Sequence, residues 1–119
     1  MADVKLGAVE TRFAEIIWRN EPLTTGQLVR ICAAELQWKR TTTYTVLKKL
    51  SEKGIFKTEN SIVSAVISRQ EYEALQSEQF VDENFKGSLP AFLAAFGTRK
   101  KLTDKEIDEM KALIEKMRG

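Results

Sequence analysis

Three copies of one local pattern set the frame within which this chain must fold. Thr24-Thr25-Gly26-Gln27, Ser68-Arg69-Gln70-Glu71 and Thr103-Asp104-Lys105-Glu106 each set a hydroxyl residue three positions before a glutamine or glutamate, with apolar residues at helical spacing beyond. In such a capping box the hydroxyl accepts from the amide three residues on, and the longer side chain reaches back to the cap's own amide. Each box therefore marks where a helix begins.

The stretches between the boxes supply the remaining elements. Val9, Phe13, Ile16 and Ile17 recur on one helix face from about Ala8 to Asn20. Asn20-Glu21-Pro22 ends that helix, because the residue before a proline is pushed out of helical geometry. The second helix carries Leu28, Ile31, Cys32 and Leu36 as its apolar stripe. A third, about Thr41 to Lys53, follows Gln37-Trp38-Lys39-Arg40 and stops at Gly54, which reads as a left-handed cap. Ile55 to Thr58 and Ile62 to Ile67 are β-branched and aromatic around the turn-forming Glu59-Asn60-Ser61, a hairpin signature. Three helices and a hairpin in this order are those of a winged helix-turn-helix.

After Ser68 the pattern is helical. One helix carries Tyr72, Leu75, Phe80 and Phe85 and is closed by Gly87. A short one begins near Ser88 with Leu89, Phe92, Leu93 and Phe96, Pro90 being tolerated in its first turn. The last holds Ile107, Met110, Ile114 and Met117 at the 3-4-3 spacing of a helix seam. The expected fold is mainly α with a small β-hairpin: a winged helix-turn-helix over residues 1–68, then a helical region over residues 69–119.

Charge separates the same regions. Residues 1–58 carry ten basic and six acidic side chains, residues 59–98 two and six, and residues 99–119 seven and five. Within residues 36–58 six are basic (Lys39, Arg40, Lys48, Lys49, Lys53, Lys57) and only Glu52 is acidic. A local basic segment on a nearly neutral chain suggests a defined anionic partner. The chain has no histidine and one cysteine. That removes the commonest metal ligand and the usual general base near neutral pH. With no nucleophile–base pair and no metal constellation, neither an enzyme nor a cofactor is expected, and Glu71/Glu73 and Asp82/Glu83 read as a solvated helix face. Cys32, among Leu28, Ile31 and Leu36, reads as a small buried hydrophobe. No apolar run is long enough to span a membrane, and Met1-Ala2-Asp3-Val4-Lys5 lacks the apolar core of a signal peptide, so a cytoplasmic location is expected.

On the third helix, Thr43, Val46, Leu47 and Leu50 converge on one side, whereas Thr41, Thr45, Lys48, Lys49 and Glu52 face the other way and Thr42 and Tyr44 lie on the flanks. Threonine is a mediocre helix former, so a run of it early in a helix needs another reason. Short side chains allow close approach to base edges in a major groove, where Thr41, Thr42 and Thr45 can offer hydroxyls and methyls. Lys39, Arg40, Lys48 and Lys49 can reach phosphates, which position a protein without specifying sequence, and Tyr44 can donate to one. Lys57 is a candidate backbone contact from the wing, or a solubilising edge-strand lysine. A helix-turn-helix can also be only a scaffold for protein interaction, with Phe80, Phe85, Phe92 and Phe96 binding a partner protein.

Ile17-Trp18-Arg19-Asn20-Glu21-Pro22-Leu23-Thr24, the segment Trp38 to Gly54 with Thr41-Thr42-Thr43 and Leu47-Lys48-Lys49-Leu50, and Phe85-Lys86-Gly87-Ser88-Leu89 together resemble the penicillinase and methicillin-resistance repressor family (BlaI/MecI/CopY type). The resemblance implies a homodimeric repressor whose N-terminal winged helix binds half of a palindromic operator in double-stranded DNA. It further implies a helical dimerisation domain over residues 69–119, for which Tyr72, Leu75, Phe80, Phe85, Leu89, Phe92, Leu93, Phe96, Ile107, Met110, Ile114 and Met117 are the candidate interface residues. In antibiotic-sensing members a membrane sensor-protease triggers cleavage before an aromatic residue of that domain. The matching position is Ala95-Phe96, with alanine in place of the asparagine of the best-known members. Copper-responsive members carry a C-terminal Cys-x-Cys pair, and Lys116-Met117-Arg118-Gly119 offers none, which argues against release by copper or zinc.

Overall fold

Phe13, Ile16 and Ile17 of the first helix, α1 (Ala8–Asn20), are buried, and the fold of the N-terminal half is built around them. The computed structural model describes residues 4–119, so Met1-Ala2-Asp3, the start of the segment read above for a signal peptide, lies outside the described residues. Helices α2 (Thr25–Leu36) and α3 (Arg40–Glu52) follow, then strands β2 (Phe56–Glu59) and β3 (Ile62–Ala65). A two-residue strand, β1 (Leu23–Thr24), precedes α2 and was not expected from the sequence. It pairs antiparallel with β3 in the register Leu23↔Val63, giving a three-stranded sheet in the order β1-β3-β2.

The capping boxes form as their chemistry requires. Thr24 Oγ1 accepts from the Gln27 amide at 3.0 Å, and Gln27 Oε1 accepts from the Thr24 amide at 2.8 Å. The Ser68 and Thr103 boxes close in the same way. Gly54, at φ +80°, takes the left-handed conformation after α3 that glycine adopts without penalty. At the hairpin tip Asn60 and Ser61 both have positive φ, the conformation of a two-residue type I′ turn.

The first compact unit runs to Ser77. Leu28 and Cys32 of α2, Leu47 and Leu50 of α3, and Ile55, Phe56 and Val63 of the hairpin are buried with the α1 residues. Trp18 stacks obliquely on Phe56 and on Tyr72, ring centroids 5.5 and 5.4 Å away, and its indole N–H donates to the Ile67 carbonyl at 3.1 Å. Trp38 stacks on Phe13 at 5.4 Å. Arg19 grips the Glu35 carboxylate with two bonds of 3.1 and 3.0 Å, tying α1 to α2. Val9 departs from the expected core face and is half-exposed, whereas its neighbour Glu10 reaches α3 through Lys49.

Helix α4 (Arg69–Phe85) begins in this unit, where Arg69 pairs with Glu15 and the Tyr72 hydroxyl accepts from the Leu6 amide. The second unit, Glu78–Gly119, takes the rest of α4 with α5 (Leu89–Gly97) and α6 (Asp104–Lys116). Phe80, Phe85 and Phe92 contact one another with centroids 5.4 to 6.1 Å apart. Lys86 and Gly87 both take positive φ where α4 ends, and the Gly87 amide donates to the Val81 carbonyl, six residues back, at 3.2 Å. Among the described residues no helix is long and apolar enough to cross a membrane.

Candidate DNA interface and the apolar face of the second unit

Helix α2, a three-residue turn and α3 form the helix-turn-helix, with Gln37 in the left-handed conformation making the turn. Thr43 locks the two helices from within. It is 1% exposed, its hydroxyl donates to the Lys39 carbonyl at 3.3 Å, and it faces Cys32 of α2. Burial pushes the Cys32 thiol up to about 11, so it stays protonated and inert at neutral pH. The buried stripe of Thr43, Leu47 and Leu50 leaves the opposite face of α3 to solvent, and Thr41, Thr42, Tyr44, Thr45, Lys48 and Lys49 are all exposed there.

These side chains are not equivalent. Lys49 Nζ lies 2.7 Å from Glu10 Oε2, and this bond, with a second from the Gly7 amide, holds the Glu10 carboxyl below its ordinary range. Lys53 donates to the Lys5 carbonyl at 2.9 Å. Both lysines thus brace α3 against the N-terminal part of the unit. Arg40 sits over the Tyr44 ring, 5.8 Å from its centroid, within the range of a cation–π contact. Lys39 and Lys48 are exposed with no ion-pair partner among the described residues. Thr45 Oγ1 donates to the Thr41 carbonyl at 2.8 Å. Lys57 is exposed on β2 beside Glu59, 3.7 Å away, so the wing carries little net charge at that point.

The structure therefore leaves Thr41, Thr42, Tyr44, Thr45 and Lys48 open to solvent on α3, with Arg40 as its first residue and Lys39 as its N-cap, and holds Lys49 in an ion pair. Sequence spacing did not reveal Glu10 as its partner. The two residues are far apart in sequence, and nothing local marks an acidic first-turn residue of α1 as the partner of a lysine in α3.

The candidate interface residues of the C-terminal half fall into two groups. Tyr72 is buried in the first unit against Trp18, and Leu75 is half-buried in the same unit. In the second unit α5 and α6 flank an apolar groove of about 360 Å³, lined by Leu89, Phe92, Leu93, Met110, Ile114 and Met117. Pro90 and Leu113, not singled out from the sequence, complete it. Leu113 at 58% exposure, Ile114 at 55% and Met117 at 64% form a strongly exposed apolar face on α6. Phe80 and Phe96 are also exposed, whereas Phe85 and Ile107 are half-buried. Ala95 and Phe96 lie in the last turns of α5, where the Ala95 carbonyl accepts from the Thr98 hydroxyl at 2.8 Å.

Comparison with known proteins gives a consistent picture. The profile of a family described as "Penicillinase repressor" matches residues 6–116. The methicillin resistance regulatory protein MecI of Staphylococcus aureus strain Mu50 is 21% identical over 116 residues, covering 94% of each chain. The penicillinase repressor of Bacillus licheniformis is 20% identical over 93% of this chain and 90% of its own. MecI of Mammaliicoccus sciuri is likewise 20% identical over 94% of each.

Proposed function

Because the chain belongs to the penicillinase repressor family, it is a DNA-binding transcriptional regulator, and we propose that it acts as a homodimer on palindromic operator DNA. One observation carries this reading. The open face of α3 gathers short polar side chains and a cation with no ion-pair partner among the described residues, Thr41, Thr42, Thr45 and Lys48, on the second helix of a helix-turn-helix whose inner face is locked by Thr43. In that motif the second helix enters the major groove with its N-terminal residues against base edges. Lys39 and Arg40, at the start of α3, sit where phosphates flank the groove, and the helix N-terminus adds favourable charge.

The apolar groove and the exposed face of α6 support a second copy of the chain as the dimer partner. A soluble monomer does not ordinarily leave such a continuous apolar patch to water. Two identical heads on one base bind a two-fold-symmetric site, and the second head binds at the high effective concentration set by the first. The resemblance to antibiotic-sensing repressors adds a means of release, proteolysis at Ala95-Phe96 prompted by a membrane sensor-protease. A cut there severs α6, with one wall of the groove, from the DNA-binding unit.

Titration of the protein against fragments of its own promoter tests the reading. Sequence-specific binding that weakens steeply with salt is the expected outcome. No preference for any promoter fragment over random duplex would leave the helix-turn-helix as a scaffold for protein interaction, in which case Thr41→Ala and Thr45→Ala would be without effect.

A further inference from the structure

Resting on the operator-binding reading, we propose that Thr45 discriminates thymine by its 5-methyl group, through the threonine methyl rather than the hydroxyl. The hydrogen bonding of α3 distinguishes its threonines. Thr45 Oγ1 donates to the Thr41 carbonyl at 2.8 Å, one helical turn back. A hydroxyl has one proton to give, so Thr45 has no donor left for a base. The same bond fixes the rotamer. With Oγ1 drawn back over the preceding turn, the other staggered branch of Cβ, the methyl, is left as the group free to meet a ligand. Thr43 makes the corresponding bond to the Lys39 carbonyl, but inside the core. No such back-bond is found for Thr41 or Thr42 among the described residues, so their hydroxyls keep both donor and acceptor capacity.

Position makes this matter. Thr45 is exposed, one turn along α3 from Thr41 and one turn before Lys48, on the stripe that faces away from Thr43, Leu47 and Leu50. A major groove offers donors and acceptors on every base pair, but only thymine presents an apolar group there. A side chain that shows a methyl and has no proton to donate is matched to that group. Thr41 and Thr42 remain available for hydrogen bonds to neighbouring bases, which divides the reading of the site between polar and apolar contacts.

The experiment uses the full-length protein and the tightest-binding promoter duplex, with deoxyuridine replacing thymidine one symmetric pair of positions at a time. Uracil lacks only the 5-methyl group. At one thymine per half-site the replacement should weaken wild-type binding about fourfold per half-site, the effect of losing one buried methyl. Thr45→Val keeps the methyl and discards the hydroxyl, so it should bind within about twofold of wild type and lose the same factor on deoxyuridine DNA. Thr45→Ser and Thr45→Ala should already be weakened about fourfold per half-site and be indifferent to the replacement at that position. Because Thr45 is exposed, circular dichroism should show all three variants folded. A Thr45→Val variant as weak as Thr45→Ala overturns the proposal, as does a Thr45→Ala variant that keeps every deoxyuridine effect of wild type. Wild-type protein that prefers no promoter sequence overturns the operator reading itself, a result readily told apart from these.

Discussion

Two adjacent lysines on α3 provide a sharp test of the interface, because the structure gives them different work. Lys48 stands open to solvent, whereas Lys49 is held 2.7 Å from Glu10. Each phosphate contact made by a lysine steepens the fall of log affinity with log salt by about 0.9. Over a fourfold rise in salt, from about 50 to about 200 mM, that slope is worth about 3.5-fold in affinity per half-site. Lys48→Ala should therefore flatten the salt dependence by about 0.9 per half-site and leave the thermal midpoint nearly unchanged. Lys49→Ala should do the reverse. It breaks an ion pair between a half-exposed lysine and a largely covered glutamate, which after solvent screening is worth about 0.2–1 kcal/mol of stability. Its salt slope should stay close to wild type, and Glu10→Gln, which frees Lys49, should steepen it. Fluorescence anisotropy of a labelled promoter duplex across the salt series, with thermal unfolding of the same proteins, measures both quantities. A Lys49→Ala variant that loses as much salt slope as Lys48→Ala would show that DNA takes Lys49 from Glu10, and the division would fail.

Three further outcomes follow from the packing. Phe92→Asp sets a charge beside the α5–α6 groove and should give a monomer by sedimentation that loses operator binding at low protein concentration; full affinity in a monomer would refute the coupling of dimerisation to binding. Gly54→Ala forces a side chain into a left-handed conformation at φ +80°, and although a Cβ there meets nothing within 4 Å, the backbone strain should cost about 1–2 kcal/mol by denaturant unfolding. Burial raises the Cys32 thiol from 9.0 to about 11, so its contribution to stability is present below pH 9 and is lost as pH climbs through 11. Chemical denaturation should therefore show the wild type losing stability between about pH 9 and 11 relative to Cys32→Ala.

Most of the helical architecture was legible because its signals are local. A capping box is complete within four residues, and the starts at Thr24, Ser68 and Thr103 stand where the sequence puts them. The alternation of buried and exposed positions on α3 was legible for the same reason, since Thr43, Leu47 and Leu50 announce their face by spacing alone. Strand β1 was not, because two residues have no periodicity and exist as a strand only through the partner Val63. The pairing of Lys49 with Glu10 and the burial of Tyr72 against Trp18 were hidden in the same way. Each is a tertiary contact between residues that look surface-like or interface-like in their own segments. Repeated spacing on α6 did identify an apolar face, but only the fold shows that Pro90 and Leu113 extend it into a groove with α5.

The distribution of aromatic residues has an optical consequence. Trp18 and Trp38 are the chain's two tryptophans and Tyr44 and Tyr72 its two tyrosines, and all four belong to the first unit. The second unit is aromatic through phenylalanine alone. Excited at the red edge of its absorption, the molecule therefore emits only from its first unit, with Trp38 stacked on Phe13 and Trp18 wedged between Phe56 and Tyr72. The helices of the second unit remain dark in emission yet visible in the far ultraviolet. A far-ultraviolet transition with no matching change in emission therefore reports unfolding of the second unit without any label.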